Sequence, residues 1–241
     1  MPTANEPVKI DAEPSRRERK KIQQWYYHAD SNEHKFKLLA RFIEQEQVSK
    51  GIVFVRRRED VRELAENLRK RGIRSTYLEG EMAQTQRNNA IDKLKNGVVT
   101  VLVSTDVSAR GIDIDDVSHI MNFDLPYSAD TYLHRIGRTA RAGKKGTAVS
   151  FVEAHDYGLL GKIKRYTQEI LKARVIEGLE PRTKAPKDGE IKTVSKKQKA
   201  KKLEKREAQK KATKKAKQRH QDRKNIGKRR KPSASTTEIA Q

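Results

Sequence analysis

The chain of 241 residues contains no cysteine. This absence excludes disulfide frameworks and thiolate metal sites, and it fits a reducing compartment, so we place the protein in the cytoplasm. No run of about 18 apolar residues occurs, and we therefore expect no membrane-spanning segment. The six histidines are dispersed without the spacing of metal ligands, so we expect no metal site in this chain.

Aromatic residues make up only 5% of the chain, and none lies beyond residue 180. Residues 181–241 instead carry 23 Lys and Arg against 6 Asp and Glu, which gives +17 of the total charge of +23. Such a segment cannot bury enough apolar area to offset its ordering entropy, so we predict a disordered basic tail. A charge of this size favours a polyanionic partner, and composition alone does not choose between nucleic acid and an anionic membrane surface.

The usual phosphate-binding loop of nucleotide hydrolases is also missing. The pattern Gly-x-x-x-x-Gly-Lys-Ser/Thr does not occur anywhere in the chain. No Asp-Glu pair follows a predicted strand in a position to hold Mg²⁺ and orient water. The chain therefore has no cradle of its own for nucleotide phosphates.

Short apolar runs alternate with amphipathic segments between residues 22 and 168. The runs at residues 51–55 and 100–103 are typical of strands buried on both faces. Further strands are predicted at residues 22–29, 74–78, 119–123 and 147–152. Helices are predicted at residues 35–45, from residue 61 until Gly72 stops the helix, at 84–94 and at 157–168. Strands alternating with helices through short connections predict an α/β fold with an open parallel sheet.

The densest polar cluster is His134-Arg-Ile-Gly-Arg-Thr-Ala-Arg141. Arg135, Arg138 and Arg141 recur every three residues and would project from one side of a helical turn. Guanidinium groups at this spacing suit a phosphate chain, although a solvated basic helix face is the alternative. Because ligands of open parallel sheets bind beyond the carboxyl ends of strands, and the cluster follows a predicted strand, we place it at that edge and favour phosphate binding.

Two other segments could contact a sugar–phosphate backbone. Residues 104–113, directly after a predicted strand, offer hydroxyl groups, backbone amides, a guanidinium and two carboxylates. The first residues of this segment could equally form a helix N-cap. Gln84 and Arg87 lie three residues apart at a predicted helix start, where phosphate is also favoured.

Trp25, Tyr26 and Tyr27 follow one another in the first predicted strand. They could act as stacking platforms for bases. Aromatic residues in strands are more often packing residues, and we favour that interpretation.

In this order, these residues resemble the second RecA-like domain of DEAD-box RNA helicases over about residues 22–168. The matching elements are Gly51-Ile-Val-Phe-Val55, Gln84-x-x-Arg87, Ser104-Thr-Asp106 through Arg110-Gly-Ile-Asp113, Asn122-Phe-Asp-Leu-Pro126 and His134 to Arg141. Two departures are Glu79-Gly-Glu81 in place of His-Gly-Asp and Ala140 in place of Gly. The linker-like residues 12–21 and the Lys-rich tail resemble a bacterial member of the family associated with assembly of the large ribosomal subunit.

The resemblance implies a role for each matching residue. Arg138 and Arg141 match arginine fingers that reach the γ-phosphate of ATP, and Asp113 matches a contact to the ribose. His134 and Arg135 match residues that couple the nucleotide site to the RNA side. The residues that match RNA-backbone contacts or their supports are Gln84, Arg87, Thr105, Asp106, Arg110 and Gly111.

The resemblance also implies how the chain is organised and what it does. We expect a linker at residues 1–21, a C-terminal RecA-like helicase domain with helices on both sheet faces at 22–176, and a basic RNA-binding tail at 177–241. The expected function is the C-terminal half of an ATP-dependent RNA helicase that unwinds RNA locally, acting on rRNA and pre-ribosomal particles and not on membranes.

A first RecA-like domain would bind most of the ATP and Mg²⁺, and this half alone should be inactive. The alternative is an ATP-independent RNA-binding module or ribosome-assembly chaperone.

Overall fold

A computed structural model describes residues 19–109, 114, 117–140 and 144–186 of the chain. Its strands are β1 (Ile22–Ala29), β2 (Gly51–Phe54), β3 (Ser75–Leu78), β4 (Val101–Ser104), β5 (His119–Asn122), β6 (Gly146–Glu153) and β7 (Lys172–Arg174). Its helices are α1 (Asn32–Gln45), α2 (Glu59–Lys70), α3 (Gln84–Lys95), α4 (Ala129–Ile136) and α5 (Tyr157–Thr167), with a short 3-10 turn at Ala154–Asp156 before α5.

The seven strands form one parallel sheet in the order β3-β4-β2-β5-β6-β1-β7. The open parallel α/β sheet expected from the sequence is therefore confirmed. The strand β2 lies between β4 and β5, so the loops that follow these three strands are neighbours. None of the described helices is long and apolar enough to cross a membrane.

Alternate residues of each strand pack into two separate apolar layers. Val53 and Val103 join the layer that α1 and α2 cover, whereas Ile52 and Leu102 join the layer that α3, α4 and α5 cover. This division follows from the two-residue period of side chains along a strand. Because both layers are closed, the central strands β2 and β4 are buried at every position, and their apolar residues form the short runs seen in the sequence.

The helix α2 shows how local sequence sets the boundaries of an element. Its apolar residues Val61, Leu64, Ala65 and Leu68 recur at helical spacing and are all buried. Glu59 and Asp60 lie in its first turn and Arg69 and Lys70 in its last turn, which complements the helix dipole. The chain then turns away at Gly72, whose φ of +81° is readily adopted only by glycine.

The three consecutive aromatic residues of β1 are buried. Tyr27 stacks on Phe151 with ring centroids 5.9 Å apart, and Trp25 meets the ring of Phe42 edge-on at 6.1 Å. The packing interpretation is confirmed, because rings enclosed in this way present no face to a base.

The strand β7 was not predicted from the sequence. Its three residues Lys172-Ala-Arg174 are exposed and show no apolar alternation. It forms because β1 would otherwise leave a row of backbone N–H and C=O groups unpaired at the sheet edge.

The chain stays packed on the domain beyond β7. The side chain of Ile176 is buried, and the backbone N–H groups of Arg182 and Thr183 donate to the carboxylate of Asp30 at 2.7 and 2.9 Å. The remainder of the predicted basic tail, from residue 187 onward, and residues 1–18 of the predicted linker lie outside the described residues.

We expect Gly146→Ala to destabilise the fold. A Cβ atom at Gly146, the first residue of β6, would meet Thr139 Oγ1, lie 2.7 Å from Thr139 Cγ2 and lie 2.9 Å from the backbone nitrogen of Ala140. The backbone atom cannot move aside cheaply, so the free energy of unfolding should fall by about 1–3 kcal/mol in urea titrations.

Gly80→Ala is the matched control, because no atom lies within 4 Å of its added Cβ. Its effect should stay within about 0.5 kcal/mol. Equal stability of the two variants would contradict the close packing between β6 and the turn at Thr139.

Candidate functional site

The loops that follow β2, β3, β4 and β5 meet at the carboxyl edge of the sheet. Phe54 of β2 is level with Ser104 of β4 and with Asn122 of β5, and Leu78 of β3 is level with Ser104. The four strands therefore end side by side. Open parallel sheets bind ligands at this edge, and most of the candidate residues were predicted to lie there.

The loop after β4 begins with a hydrogen-bonded turn. Thr105 Oγ1 lies 2.7 Å from Ser108 Oγ and accepts from the backbone N–H of Ser108 at 3.3 Å. Residues 106–109 form a turn in which Thr105 makes the side-chain bond to the third following N–H that is typical of an N-cap, and the N–H of Ala109 donates to the Thr105 carbonyl at 3.0 Å, while residues 110–113 lie outside the described residues. The turn leaves Thr105 and Asp106 half-buried at the edge.

The first turn of α3 is fastened to this loop. The guanidinium of Arg87 donates to the backbone carbonyl of Ser108, while Gln84 is exposed one turn earlier and donates to Asn88 Oδ1 at 2.8 Å. Gln84, Arg87, Thr105 and Asp106 thus belong to one surface. Beside it lies a cavity of 380 Å³, which is lined by Arg56, Arg58, Gly80, Glu81, Thr105, Asp106, Val107 and Ser108.

Arg135 lies beneath this surface and is only 2% exposed. Its guanidinium donates to both carboxylate oxygens of Asp106, at 2.6 and 2.8 Å, and to Asn122 Oδ1 at 3.0 Å. It also donates to the backbone carbonyl of Asp124 at 2.6 Å and lies 4.8 Å from the centroid of the Phe54 ring. A buried cation is tolerated only when its donors are satisfied in this way, so Arg135 joins α4 to the loops after β4 and β5.

The expectation that three arginines share one helix side at the carboxyl edge is wrong for this cluster. The helix α4 ends at Ile136, and Thr139 Oγ1 donates to the carbonyl of Val117, a residue that precedes β5. Arg138 is half-buried next to Thr139 and therefore lies toward the amino end of β5, whereas the side chain of Arg135 reaches back to the carboxyl edge. Spacing in sequence could not show that the helix stops between them.

The other expected site residues divide between the described part of the chain and the remainder. His134 is exposed in the last turn of α4. Arg110, Gly111, Asp113 and Arg141 lie outside the described residues.

The two departures from the family pattern each have a structural setting. Ala140 has a φ of +58°, in the left-handed region where glycine is favoured, which explains why Gly is the commoner residue at this position. Glu81 forms an ion pair with Arg58 at 2.5 Å, across the loops after β2 and β3.

A second buried network at the carboxyl edge was missed by the sequence reasoning. Lys35 of α1 is 2% exposed, and its Nζ lies 2.6 Å from Asp124 Oδ1 and 3.0 Å from Glu153 Oε1. The backbone N–H of Arg56 donates to Asp124 Oδ2 at 3.1 Å, and its side chain pairs with Asp156. Arg56 and Asp124 each lie two residues after the end of a strand, β2 and β5 respectively, a position that could have identified them.

Lys35 gave no usable signal, because it occupies the apolar side of α1 together with Leu38, Leu39 and Phe42. A lone lysine on such a stripe ordinarily extends its ammonium to water. Burial acts to raise the pKa of Asp124, but the ammonium of Lys35 and the N–H and charge of Arg56 outweigh it, so this pKa lies below its ordinary value.

Comparison with known proteins identifies relatives of this architecture. The family model of the helicase conserved C-terminal domain matches residues 34–143. The chain is 83% identical to an ATP-dependent RNA helicase, SrmB, from Haemophilus influenzae over 96% of this chain and 53% of that protein. The chain spans about half the length of two curated relatives that it matches.

Solved structures agree with this assignment. The crystal structure of the Escherichia coli DEAD-box protein SrmB bound to regulator of ribonuclease activity A matches with a TM-score of 0.67 and 62% identity, over 69% of this chain and 98% of that one. Saccharomyces cerevisiae Dbp5 bound to RNA and ADP BeF3 matches with a TM-score of 0.60 and 34% identity, over 64% of this chain and 41% of that one. The RecA-like fold expected from the resemblance is confirmed.

We expect Lys35→Met to destabilise the domain most at neutral pH. At pH 7 it leaves two partly buried carboxylates without the ammonium that lies between them, and the free energy of unfolding should fall by about 3 kcal/mol, the lower end for a buried pair. In the wild type the depressed pKa of Asp124 makes its ionisation stabilising above the ordinary pKa, and this contribution is lost as pH falls through the folded-state value.

In the variant only Arg56 still lowers the pKa of Asp124, so this pKa rises above its wild-type value and the variant loses less stability than the wild type on acidification. Urea titrations between pH 7 and pH 4 should show the difference from wild type narrowing as pH falls. Lys37→Met, on the exposed side of α1 and paired with exposed Glu33, is the control and should change little. A difference independent of pH would contradict the assigned network.

Proposed function

Because the chain belongs to the DEAD-box family of helicases, we propose that it is the C-terminal RecA-like half of an ATP-dependent RNA helicase that unwinds RNA locally. The observation that carries the proposal is the buried guanidinium of Arg135, which is bonded to Asp106 of the carboxyl-edge loop while its helix ends beside Arg138. A single rigid element thereby connects two surfaces of the domain. Relatives named ATP-dependent RNA helicases support the activity.

The first surface is the one that we assign to RNA. Gln84, Arg87, Thr105 and Asp106 gather amide, guanidinium, hydroxyl and carboxylate groups at the carboxyl edge. Such groups bind phosphates and 2′-hydroxyls without reading base edges, so the binding would be directed to RNA and tolerant of sequence. Arg110 and Gly111 belong to the same loop in this proposal.

The second surface is the one that we assign to ATP. ATP hydrolysis breaks the bond between the terminal phosphate and the rest of the nucleotide. Arg138, half-buried at the end of α4, fits a residue that reaches a phosphate held on a neighbouring domain, and the proposal adds Arg141 as a second finger and Asp113 as the ribose contact. We assign Mg²⁺ to the first RecA-like domain, as the resemblance implies.

Coupling between the two surfaces follows from their shared support. When the two domains close, Arg138 can neutralise phosphate charge only in the arrangement that also brings the carboxyl-edge loops onto the RNA strand. ATP binding and RNA binding then become linked. His134 and Arg135 are the coupling residues of the proposal, with Arg135 acting through its bonds to Asp106 and Asp124.

The proposal extends to the organisation and setting of the whole protein. Residues 1–21 act as the interdomain linker, residues 22–176 as the helicase domain and residues 177–241 as an RNA-binding tail. The resemblance of the linker and the tail supports a cytoplasmic role in assembly of the large ribosomal subunit, with rRNA and pre-ribosomal particles as partners.

We expect Arg138→Ala to abolish RNA-stimulated ATP hydrolysis. The measurement combines this chain with a separately supplied first RecA-like domain, and neither part should hydrolyse ATP alone. Loss of an arginine finger lowers the rate by about 10³–10⁵, and Arg141→Ala should do the same. RNA binding should persist in both variants, and Arg41→Ala, at an exposed position of α1, should retain full turnover.

Near-normal turnover of Arg138→Ala would rule out the finger assignment. RNA binding without any hydrolysis in the combined preparation would favour the ATP-independent RNA-binding module instead.

Deleting residues 187–241 should weaken RNA binding and flatten its dependence on salt. The truncation keeps Arg182 and Thr183, which bond to Asp30. Each phosphate contact contributes about −0.7 to the slope of log affinity against log salt for single strands. Fluorescence anisotropy at several salt concentrations measures the slope, and an unchanged slope would show that the tail does not contact RNA.

A further inference from the structure

A polar groove of 590 Å³ runs between α2 and α3, over the edge strand β3. We refer to it as the α2–α3 groove. Its cations are Arg58, Arg62 and Arg69 on the α2 side and Lys93 on α3. Arg62 and Arg69 are seven residues apart on α2, so their guanidiniums line the same side of that helix, two turns from each other.

The remaining lining of the α2–α3 groove is polar as well. Gln86 and Asn89 contribute side-chain amides from α3, and Thr76 and Tyr77 of β3 lie between the two helices. A protein partner would need an apolar centre on which to anchor, and Met82 and Ala90 provide little of one. Guanidiniums, amides and a partly exposed tyrosine ring suit phosphates, riboses and an unstacked base.

Two carboxylates, Glu79 and Glu81, also line the α2–α3 groove, so four cations face two anions there. The ion pairs that the arginines of the groove make with Glu81 and Glu66 are exposed. Glu66 lies 2.9 Å from Arg62 and 3.9 Å from Arg69, and the side chains of these arginines are 65% and 45% exposed. Ion pairs at such positions contribute little to stability because water and salt screen them. The guanidiniums can therefore exchange Glu66 for a phosphate at small cost.

The α2–α3 groove adjoins the carboxyl-edge cavity that we assigned to the RNA backbone. Arg58 and Glu81 line both cavities, and their ion pair forms the boundary between the two. We propose that the α2–α3 groove binds a further segment of single-stranded RNA, continuing from the carboxyl-edge surface past Arg58 toward Arg62 and Arg69. This inference rests on the proposed function, since it extends the same RNA site.

The groove makes RNA affinity depend on strand length. A strand of about 8 nucleotides is accommodated at the carboxyl edge, whereas a strand of about 20 nucleotides also reaches the groove. The extra contacts are to phosphates, so they add to the salt dependence of the longer strand alone.

The test compares the Kd of the full 241-residue chain for these two strands, as labelled homopolymeric RNA, by fluorescence anisotropy. The double variant Arg62→Gln/Arg69→Gln should bind the longer strand about threefold to tenfold more weakly near 0.1 M salt, with a slope flatter by about 1.4 for two lost phosphate contacts. Its binding of the shorter strand should stay within about twofold of wild type. Glu66→Gln should instead tighten binding of the longer strand, since it removes a competing carboxylate.

The matched control is Lys37→Gln/Arg41→Gln on α1, which removes the same two charges at exposed positions away from the groove. It should leave the length preference unchanged, and all variants should retain the wild-type thermal midpoint because every altered side chain is exposed or half-buried. The basic tail is common to all variants, so it does not enter their differences.

Equal weakening of both strands, or equal weakening by the α1 control, would overturn the proposal in favour of general electrostatic attraction. A different result would overturn the proposal in favour of an acidic protein partner: the wild type binds a polyglutamate peptide, and the double variant loses this binding while its RNA binding is unchanged. If the proposed helicase function is wrong, ATP hydrolysis with a separately supplied first domain will be absent. The RNA-binding comparison of the two strand lengths does not depend on hydrolysis and can still be interpreted.

Discussion

The carboxyl edge of the sheet is organised by the need to neutralise one buried guanidinium. Arg135 is enclosed by the domain, and each of its bonds fixes a different element: Asp106 in the loop after β4, Asn122 at the end of β5 and the carbonyl of Asp124. Asn122 is itself held by a bond to Ser150 Oγ in β6 at 3.1 Å. Helix α4 cannot shift along the sheet without breaking this set, so the positions of the loops and of Arg138 depend on it.

Asp124 extends the same constraint to the other face of the sheet. Its carbonyl accepts from Arg135, while its carboxylate accepts from Lys35 of α1 and from the backbone N–H of Arg56. Burying charges in this way is weak evidence for stability, because desolvation offsets much of the attraction. Its effect is geometric, since the charges can be satisfied together in only one arrangement of α1, α4 and the strand ends.

Much of the framework could be predicted from the sequence, because two closed apolar layers bury β2 and β4 on both faces and leave short, largely apolar runs in the sequence. Helix α2 could likewise be predicted, from the helical spacing of its apolar residues and from the glycine that follows it. The arginine cluster was misread because a three-residue spacing cannot show that α4 ends at Ile136 and that Thr139 is tied to Val117. The role of Lys35 could not be predicted, because local spacing shows only a lysine among apolar residues of a helix. The two carboxylates that pair with it lie about 90 and about 120 residues away in sequence.

The position of β1 in the sheet has a consequence for how the protein is made. All eight residues of β1 pair with β6, and the register joins Ile22 to Gly146 across 124 positions of sequence. At synthesis rates of about 5–20 residues per second, β1 waits about 6–25 s before its partner strand has been assembled. During that interval Trp25, Tyr26 and Tyr27 form an apolar strand with both edges unpaired, a state that favours pairing with other chains. The aromatic strand that closes the finished core is therefore the segment of the nascent chain that most needs shielding from its neighbours.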